Sequence, residues 1–207
     1  MQARELLADV KIVPVVVIDD VETAAPLATT FFEAGIKAIE VTLRTEAGLN
    51  AIEAIARDVP EMILGAGSLR TPDQIEDVRS AGARFGVSPG STPTLVAAAR
   101  DAGLPFIPGA VTASEMLTLF EKGVTLQKFF PAELAGGVGY LKAVGAPLPE
   151  VSFMPTGGVS PDNVGDYLAL SNVACVGGSW LAPRDRLAAR DYAAIGALAK
   201  DAARLAV

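Results

Sequence analysis

The feature that most constrains this chain is an eightfold alternation. Short runs rich in β-branched and apolar residues are separated by alanine-rich stretches with helical spacing. The runs fall at residues 12–18, 38–42, 62–66, 84–88, 106–108, 125–130, 151–154 and 173–176. The helical stretches fall at 21–33, 48–58, 72–80, 92–101, 113–121, 137–144 and 161–170, with a tail from Arg184. Alternation of this kind builds βαβ units and a parallel sheet. The strands are almost continuously apolar, as expected when both faces are covered. Glycine supplies punctuation. Ala34-Gly35, Ala81-Gly82, Ala102-Gly103 and Lys122-Gly123 each precede a strand, where a glycine caps the preceding helix in the left-handed conformation. Thr71-Pro72-Asp73 and Ser160-Pro161-Asp162 read as helix N-termini, each with a hydroxyl cap and a proline in the first turn.

Eight units in 207 residues predict an α/β fold, a compact (β/α)8 TIM barrel of one domain over 1–207. Residues 1–11 form an extra N-terminal helix in this reading, covering the barrel's N-terminal face. The rival is an open doubly wound sheet. That fold asks for a glycine-rich turn after its first strand, whereas here the first strand runs into Asp19-Asp20-Val21. The glycine-rich turns come later, as Gly65-Ala66-Gly67-Ser68, Thr156-Gly157-Gly158 and Gly177-Gly178-Ser179. The last two follow the seventh and eighth strands, where barrels often hold phosphate.

Composition then narrows the chemistry. The chain has no histidine, which removes histidine metal sites and histidine acid–base or triad catalysis. It has one cysteine, Cys175, so no intrachain disulfide forms. The net charge of −7 argues against nucleic acid, whose binding relies on neutralising phosphates. It leaves room for a small anion in a locally positive pocket. The run at 12–18 is far short of the ~20 residues that span a bilayer. Residues 1–11 do not follow the pattern of a secretory signal, so a cytoplasmic protein is expected.

The remaining chemistry rests on a few side chains. Of six lysines, five sit at strand entrances or on helices. Lys128 differs, lying in Leu126-Gln127-Lys128-Phe129-Phe130-Pro131. Period-two alternation puts Leu126, Lys128 and Phe130 on one face. A buried ammonium is costly alone, so it becomes a free amine or finds a carboxylate. A free amine attacks carbonyls to give a Schiff base. The competing reading is a lysine that snorkels to the strand end or pairs with Glu40 for structure. Glu40, Thr42 and Arg44 share a face of the second strand and need partners or a ligand there. A carboxylate near Lys128 can shuttle protons, and Arg44 can fork onto a substrate carboxylate. The alternative, a Glu40–Arg44 ion pair, is awkward along a strand. Gly67 and Ser68 offer amides and a hydroxyl to an anion, although a tight βα turn accounts for them nearly as well. Thr156 is similar. Gly177-Gly178 permits close backbone approach to a ligand, while Trp180 reads as packing under the last helix. Cys175 reads as an inert buried residue. Pro89 either walls the pocket or ends the fourth strand.

Five segments in order carry a resemblance. They are Glu40-Val41-Thr42-Leu43-Arg44-Thr45, Val87-Ser88-Pro89-Gly90, Lys128-Phe129-Phe130-Pro131-Ala132-Glu133, Pro155-Thr156-Gly157-Gly158 and Gly177-Gly178-Ser179-Trp180. On these the chain resembles, end to end, the bacterial 2-keto-3-deoxy-6-phosphogluconate (KDPG) aldolases, a group that includes the 4-hydroxy-2-oxoglutarate (KHG) aldolases. The resemblance implies a class I aldolase on a (β/α)8 barrel. It implies Lys128 as the Schiff-base lysine and Glu40 as the general acid/base. It places Arg44, with Gly67 and Ser68, at the pyruvate carboxylate. Pro89, Phe130 and Thr156 fall in the substrate pocket, and Gly157, Gly158, Gly178 and Ser179 at the phosphate end. No metal or other cofactor is implied. The implied partners are a phosphorylated 2-keto-3-deoxy sugar acid, pyruvate and glyceraldehyde 3-phosphate, with no nucleic acid and no membrane, in a homotrimer. One departure stands out, because Ser68 takes the place of the family's usual threonine. A phosphogalactonate-directed or KHG-directed aldolase, a metal-dependent aldolase and an inactive barrel scaffold are the alternatives.

Overall fold

The structure is a computed structural model and describes residues 2–205. Eight strands run in chain order among them: β1 (Ile12–Val16), β2 (Ala38–Thr42), β3 (Ile63–Gly67), β4 (Phe85–Val87), β5 (Phe106–Ile107), β6 (Leu126–Phe129), β7 (Ser152–Pro155) and β8 (Val176–Gly178). Helix α1 (Ala3–Leu6) precedes β1. Between the strands lie α2 (Ala24–Glu33), α3 (Gly48–Asp58), α4 (Pro72–Ser80), α5 (Pro93–Asp101), α6 (Ala113–Phe120), α7 (Gly137–Gly145) and α8 (Val164–Leu168). The chain ends in α9 (Arg184–Ala188) and α10 (Tyr192–Leu205).

All strand pairs are parallel. Six strands form one ladder in the order β5-β4-β3-β2-β1-β8, and β6 pairs with β7. Two seams join these pieces. Gly109 bridges Lys128, with the Lys128 N–H on the Pro108 carbonyl at 2.9 Å. On the other side Phe153 bridges Val173 and Thr156 bridges Gly177. The ring therefore closes in sequence order as a (β/α)8 barrel.

Alternation along each strand divides the core in two. Leu126 faces inward, whereas Gln127 faces the helices and donates to the carbonyls of Met116 and Val124 at 3.0 and 3.1 Å. Phe129 also faces outward and stacks on Tyr140, with ring centroids 5.5 Å apart. Inside the barrel, Val13, Ala38, Phe85, Val87, Ile107, Leu126, Met154 and Cys175 form one apolar cluster. Ala3, Leu7 and Val10 join it and close the N-terminal end, the place expected for the extra helix. Burial in this cluster pushes the Cys175 thiol up to about 12, so it stays protonated and unreactive.

The glycine punctuation takes the expected form. Gly35, Gly82, Gly103 and Gly123 have φ of 92°, 98°, 68° and 79°. Thr71 caps α4 with its side chain, as read from the sequence. The Ser160-Pro161 start is corrected. Asn163 Oδ1 takes the Ser160 N–H at 2.8 Å, the chain turns, and α8 begins only at Val164. The eighth strand also lies later than expected, at Val176–Gly178 rather than 173–176. Pairing with β1 sets it there, with Ile12 opposite Val176 and Pro14 opposite Gly178.

Thr112 offers a direct test of local encoding. Its hydroxyl accepts the Glu115 N–H, while Glu115 Oε2 accepts the N–H groups of Thr112 and Val111 at 2.8 and 2.9 Å. These bonds, that to the Thr112 N–H foremost, hold the Glu115 carboxyl below its ordinary range. A carboxyl depressed in the folded state stabilises at neutral pH and loses that contribution as pH falls through its folded value. Thr112→Ala is expected to cost about 1 kcal/mol. Urea unfolding at pH 7 should show this as a lower midpoint with unchanged slope.

Candidate active site

In an eight-strand ring β2 and β6 stand opposite one another, so their inward residues meet across the barrel. Ala38 and Leu126 lie in the apolar cluster at the lower level. One inward step higher are Glu40 and Lys128. Lys128 Nζ donates to Glu40 Oε1 at 3.2 Å, and the two side chains are 4% and 1% exposed. The lysine has found a carboxylate, and Glu40 pairs with it rather than with Arg44. Removing both charges from water is expensive and is offset only by close pairing and further hydrogen bonds. Here the compensation is incomplete. Glu40 Oε2 is buried with no hydrogen-bond partner among the described residues. A buried unpartnered acceptor beside a lysine amine is a place for a ligand hydroxyl.

Glycines make the room. Gly65 sits opposite Glu40 in the β2–β3 ladder and Gly67 opposite Thr42. A Cβ on Gly67 would overlap the Glu40 carboxylate, and one on Gly65 would overlap the Phe85 ring. On the far side a Cβ on Gly177 would overlap Thr156 Oγ1. Thr156 is buried and its hydroxyl also has no partner among the described residues. Gly177, read from the sequence with Gly178 as room for a ligand, instead packs against Thr156. Its contact with Thr156 depends on the β7–β8 seam, although its place two residues beyond inward-facing Cys175 was a usable signal.

Further toward the rim, Phe130 lies beyond the end of β6 with its ring centroid 5.5 Å from Lys128 Nζ. This is a cation–π distance. Thr42 is satisfied structurally, donating to the Val16 carbonyl at 2.9 Å. Arg44 lies in the turn after β2 and is exposed. Its Nε donates to Ser68 Oγ at 3.0 Å. Ser68 has φ 62°, a left-handed conformation that a non-glycine residue adopts at a cost. A serine tolerates it more readily than β-branched threonine. Pro89 is exposed beyond β4, and its carbonyl lies against Gly109.

The turn after β7 has Gly157 and Gly158 at φ 96° and 84°. The carbonyls of Thr156, Gly157 and Gly158 are all engaged, by the N–H groups of Ala132 and Glu133 and by the Asn163 side chain. Among the described residues the N–H groups of Gly157 and Gly158 donate to no protein acceptor. At the end of β8 the Trp180 ring lies against Gly178, where a Cβ would overlap it. A protein side chain thus explains that close approach, and Ser179 is exposed beside it.

Among the described residues, no three His, Cys, Asp or Glu side chains gather to hold a metal ion. No helix among them is long and apolar enough to cross a membrane. A groove of about 570 Å³ lies at the opposite end of the barrel, between Arg4, Arg100, Leu104 and Lys122, and contains none of these residues.

The chain matches the family model for KDPG and KHG aldolase over residues 3–198. The KHG/KDPG aldolase of Escherichia coli (strain K12) is 48% identical over 200 residues, covering 97% of this chain and 94% of the relative. A KDPG aldolase from Legionella pneumophila, solved with pyruvate captured at low pH as a covalent carbinolamine intermediate, superposes with a TM-score of 0.94. It is 42% identical, with 97% of each chain covered. The KDPG aldolase of Zymomonas mobilis, solved with 3-phosphoglycerate, gives a TM-score of 0.91 at 36% identity, covering 96% of this chain and 93% of that one. With an amine and a carboxylate facing each other inside a barrel of this shape, the chain belongs to the KDPG and KHG aldolase family.

Proposed function

We propose that the protein is a class I aldolase that cleaves KDPG to pyruvate and glyceraldehyde 3-phosphate through an imine on Lys128. The observation that carries this is the buried Lys128–Glu40 pair, with an amine beside a carboxylate oxygen that has no partner among the described residues. The carbinolamine trapped in the Legionella relative supports the same chemistry.

The reaction proceeds in balanced steps. The ammonium proton leaves Lys128, and Glu40 Oε1 at 3.2 Å is positioned to take it. The amine attacks the C2 ketone to give a carbinolamine. Glu40 returns its proton to the departing hydroxyl, and loss of water leaves a protonated imine, an electron sink, beside an ionised Glu40. Glu40, directly or through a water, removes the C4 hydroxyl proton. The C3–C4 bond breaks, its electron pair enters the enamine, and glyceraldehyde 3-phosphate leaves. Protonation at C3 and hydrolysis then release pyruvate and the free lysine. Arg44 and Ser68 hold the substrate carboxylate. The Nε–H of Arg44 is already given to Ser68, so the guanidinium's outer edge is left to fork onto the anion. Phe130, Pro89 and Thr156 wall the pocket, and the amides at Gly157, Gly158 and Ser179 take the phosphate. Gly178, opposite Pro14 in the parallel β1–β8 ladder, gives its own N–H to that ladder and is corrected as a phosphate donor. Since α8 and α9 are only five residues each and α8 starts late, the turn amides carry this task rather than a helix dipole.

The test is reduction with borohydride in the presence of pyruvate. One pyruvate-derived group should be added and map to Lys128. A folded protein with no adduct there overturns the assignment. A phosphate dependence is expected alongside it: unphosphorylated 2-keto-3-deoxygluconate should lose most of the kcat/KM. Equal values for the two substrates would move the reading to KHG, the second substrate named for the Escherichia coli relative.

Gly67→Ala probes the geometry of Glu40. The glycine is not in the left-handed region, so an alanine is conformationally acceptable and acts by displacing the carboxylate. Misplacing a reacting group by 1 Å costs about 10²-fold, and kcat should fall by that order while the protein remains folded. Turnover within a factor of about two of wild type would mean that Glu40 need not sit where it does.

An enzyme of this class acts on soluble metabolites in the cytoplasm. The homotrimer implied by the family resemblance predicts a solution mass of three chains. Leu134, 90% exposed beside the β6–α7 turn, is an apolar side chain available for burial in such an assembly.

A further inference from the structure

Glu133 closes the Lys128–Glu133 segment, yet the reaction gives it no task. Tyr167, on α8, is fully buried and likewise unused. The two meet: the Tyr167 hydroxyl donates to Glu133 Oε1. Burial, reinforced by the Glu133 carboxylate, raises the Tyr167 phenol, so it remains a donor through the physiological range.

Glu133 in turn lies against the Gly157-Gly158 turn. The Glu133 N–H holds the Gly157 carbonyl at 3.1 Å, and the neighbouring Ala132 N–H holds that of Thr156 at 2.8 Å. The Glu133 side chain lies flat on Gly158, where a Cβ would overlap its Cγ. Asn163 Nδ2 holds the Gly158 carbonyl from the other side at 3.0 Å. With those carbonyls fixed, the two glycine N–H groups are left without acceptors among the described residues. Paired left-handed glycines have more conformational freedom than any other residues, so a turn built from them presents its amides in one direction only if something pins it. The Tyr167 hydroxyl anchors the carboxylate end of Glu133 while its backbone N–H holds Gly157, so the side chain lying on Gly158 is fixed at both ends.

We infer that Glu133 and Tyr167 are positioning residues for the phosphate end of the substrate, acting through the Gly157-Gly158 turn. This rests on the reading of that turn as the phosphate site. It makes specificity for phosphorylated substrates depend on a hydrogen bond outside the pocket. The latch contributes to binding the phosphorylated end and leaves imine chemistry at Lys128 untouched.

The experiment compares KDPG, unphosphorylated 2-keto-3-deoxygluconate and pyruvate C3 proton exchange in the full chain and in three variants. Tyr167→Phe and Glu133→Ala should each raise KM for KDPG about 10-fold, the scale of one lost charge-assisted hydrogen bond. Exchange, and cleavage of the unphosphorylated acid, should stay within about twofold of wild type. Glu133→Gln keeps an oxygen that accepts the Tyr167 hydroxyl and should retain the wild-type KM. Unchanged KM for KDPG in both Tyr167→Phe and Glu133→Ala overturns the inference. So does an equal loss in all three assays, which marks a merely structural role, and so does Glu133→Gln behaving like Glu133→Ala. If Tyr167→Phe fails to fold, the exposed Glu133 variants decide alone. Should the phosphate reading itself be wrong, wild type will already show no preference for KDPG, which separates that failure from failure of the latch.

Discussion

Lys128→Met is expected to abolish the pyruvate adduct and to lower cleavage by about 10⁴-fold or more, since no other group replaces a covalent electron sink. The other five lysines, Lys11, Lys37, Lys122, Lys142 and Lys200, are all exposed, so none sits where it can take over. Loss of activity alone would not distinguish chemistry from unfolding, and the site supplies its own control. Methionine leaves Glu40 buried without its cation, and breaking a buried pair on one side costs about 3–5 kcal/mol. The single variant should therefore unfold at markedly lower urea concentration. Lys128→Met combined with Glu40→Gln removes the orphaned charge and should recover much of that stability while remaining inactive. Activity and stability are then separated within one site. Chelators should leave the wild-type rate unchanged. A borohydride-trapped adduct on folded Lys128→Met would assign the imine to a different amine and sink the proposed role.

The barrel was legible because its grammar is local. Gly35, Gly82, Gly103 and Gly123 end helices by a backbone requirement that sequence displays directly, and all four have positive φ. Lys128 and Glu40 were legible as inward residues from alternation alone, and strands two and six of eight must face one another once the ring closes. What sequence could not display are choices made by pairing. The run at 173–176 is the more strand-like by composition, yet β8 includes Gly177 and Gly178, which have little β-propensity. Their position is dictated by β1. Ser160-Pro161 has the form of a helix start, but Asn163 bonds back to Ser160 and Gly158 and holds that stretch as a turn. Gly177 beneath Thr156 and Tyr167 on Glu133 join different βα units, and Trp180 folds back over Gly178 within one. Such contacts carry no periodicity, so a linear reading passes over them. The glycine pair at 177–178 illustrates this. From sequence it suggested room for a ligand, whereas the room is taken by a threonine hydroxyl and an indole ring of the protein itself.

Glu40→Gln is expected to lower turnover by about 10²–10⁴-fold, the usual contribution of a general acid–base group. The adduct at Lys128 should still be trappable. Glutamine keeps the size of the side chain and one oxygen near Lys128 Nζ, and the floor of Ala38 and Leu126 is unchanged. What is lost is a group able to take a proton at the position of Oε2, the buried oxygen with no partner among the described residues. Two opposing effects act on imine formation. Removing the carboxylate removes the anion that pairs with the ammonium, which favours the attacking free amine. It also removes the nearest group able to accept the amine's proton and to assist loss of water from the carbinolamine, which slows the same step. Trapping rates alone therefore have no fixed sign, and the discriminating measurement lies one step later. Exchange of the pyruvate C3 protons requires passage from imine to enamine and back, whereas borohydride captures the imine before that point. Following both across pH in the same variant separates the two steps. Slow exchange beside preserved trapping places Glu40 at proton transfer. Exchange at the wild-type rate would remove Glu40 from the reaction and leave the 3.2 Å contact with Lys128 as an ion pair that only holds the lysine in place.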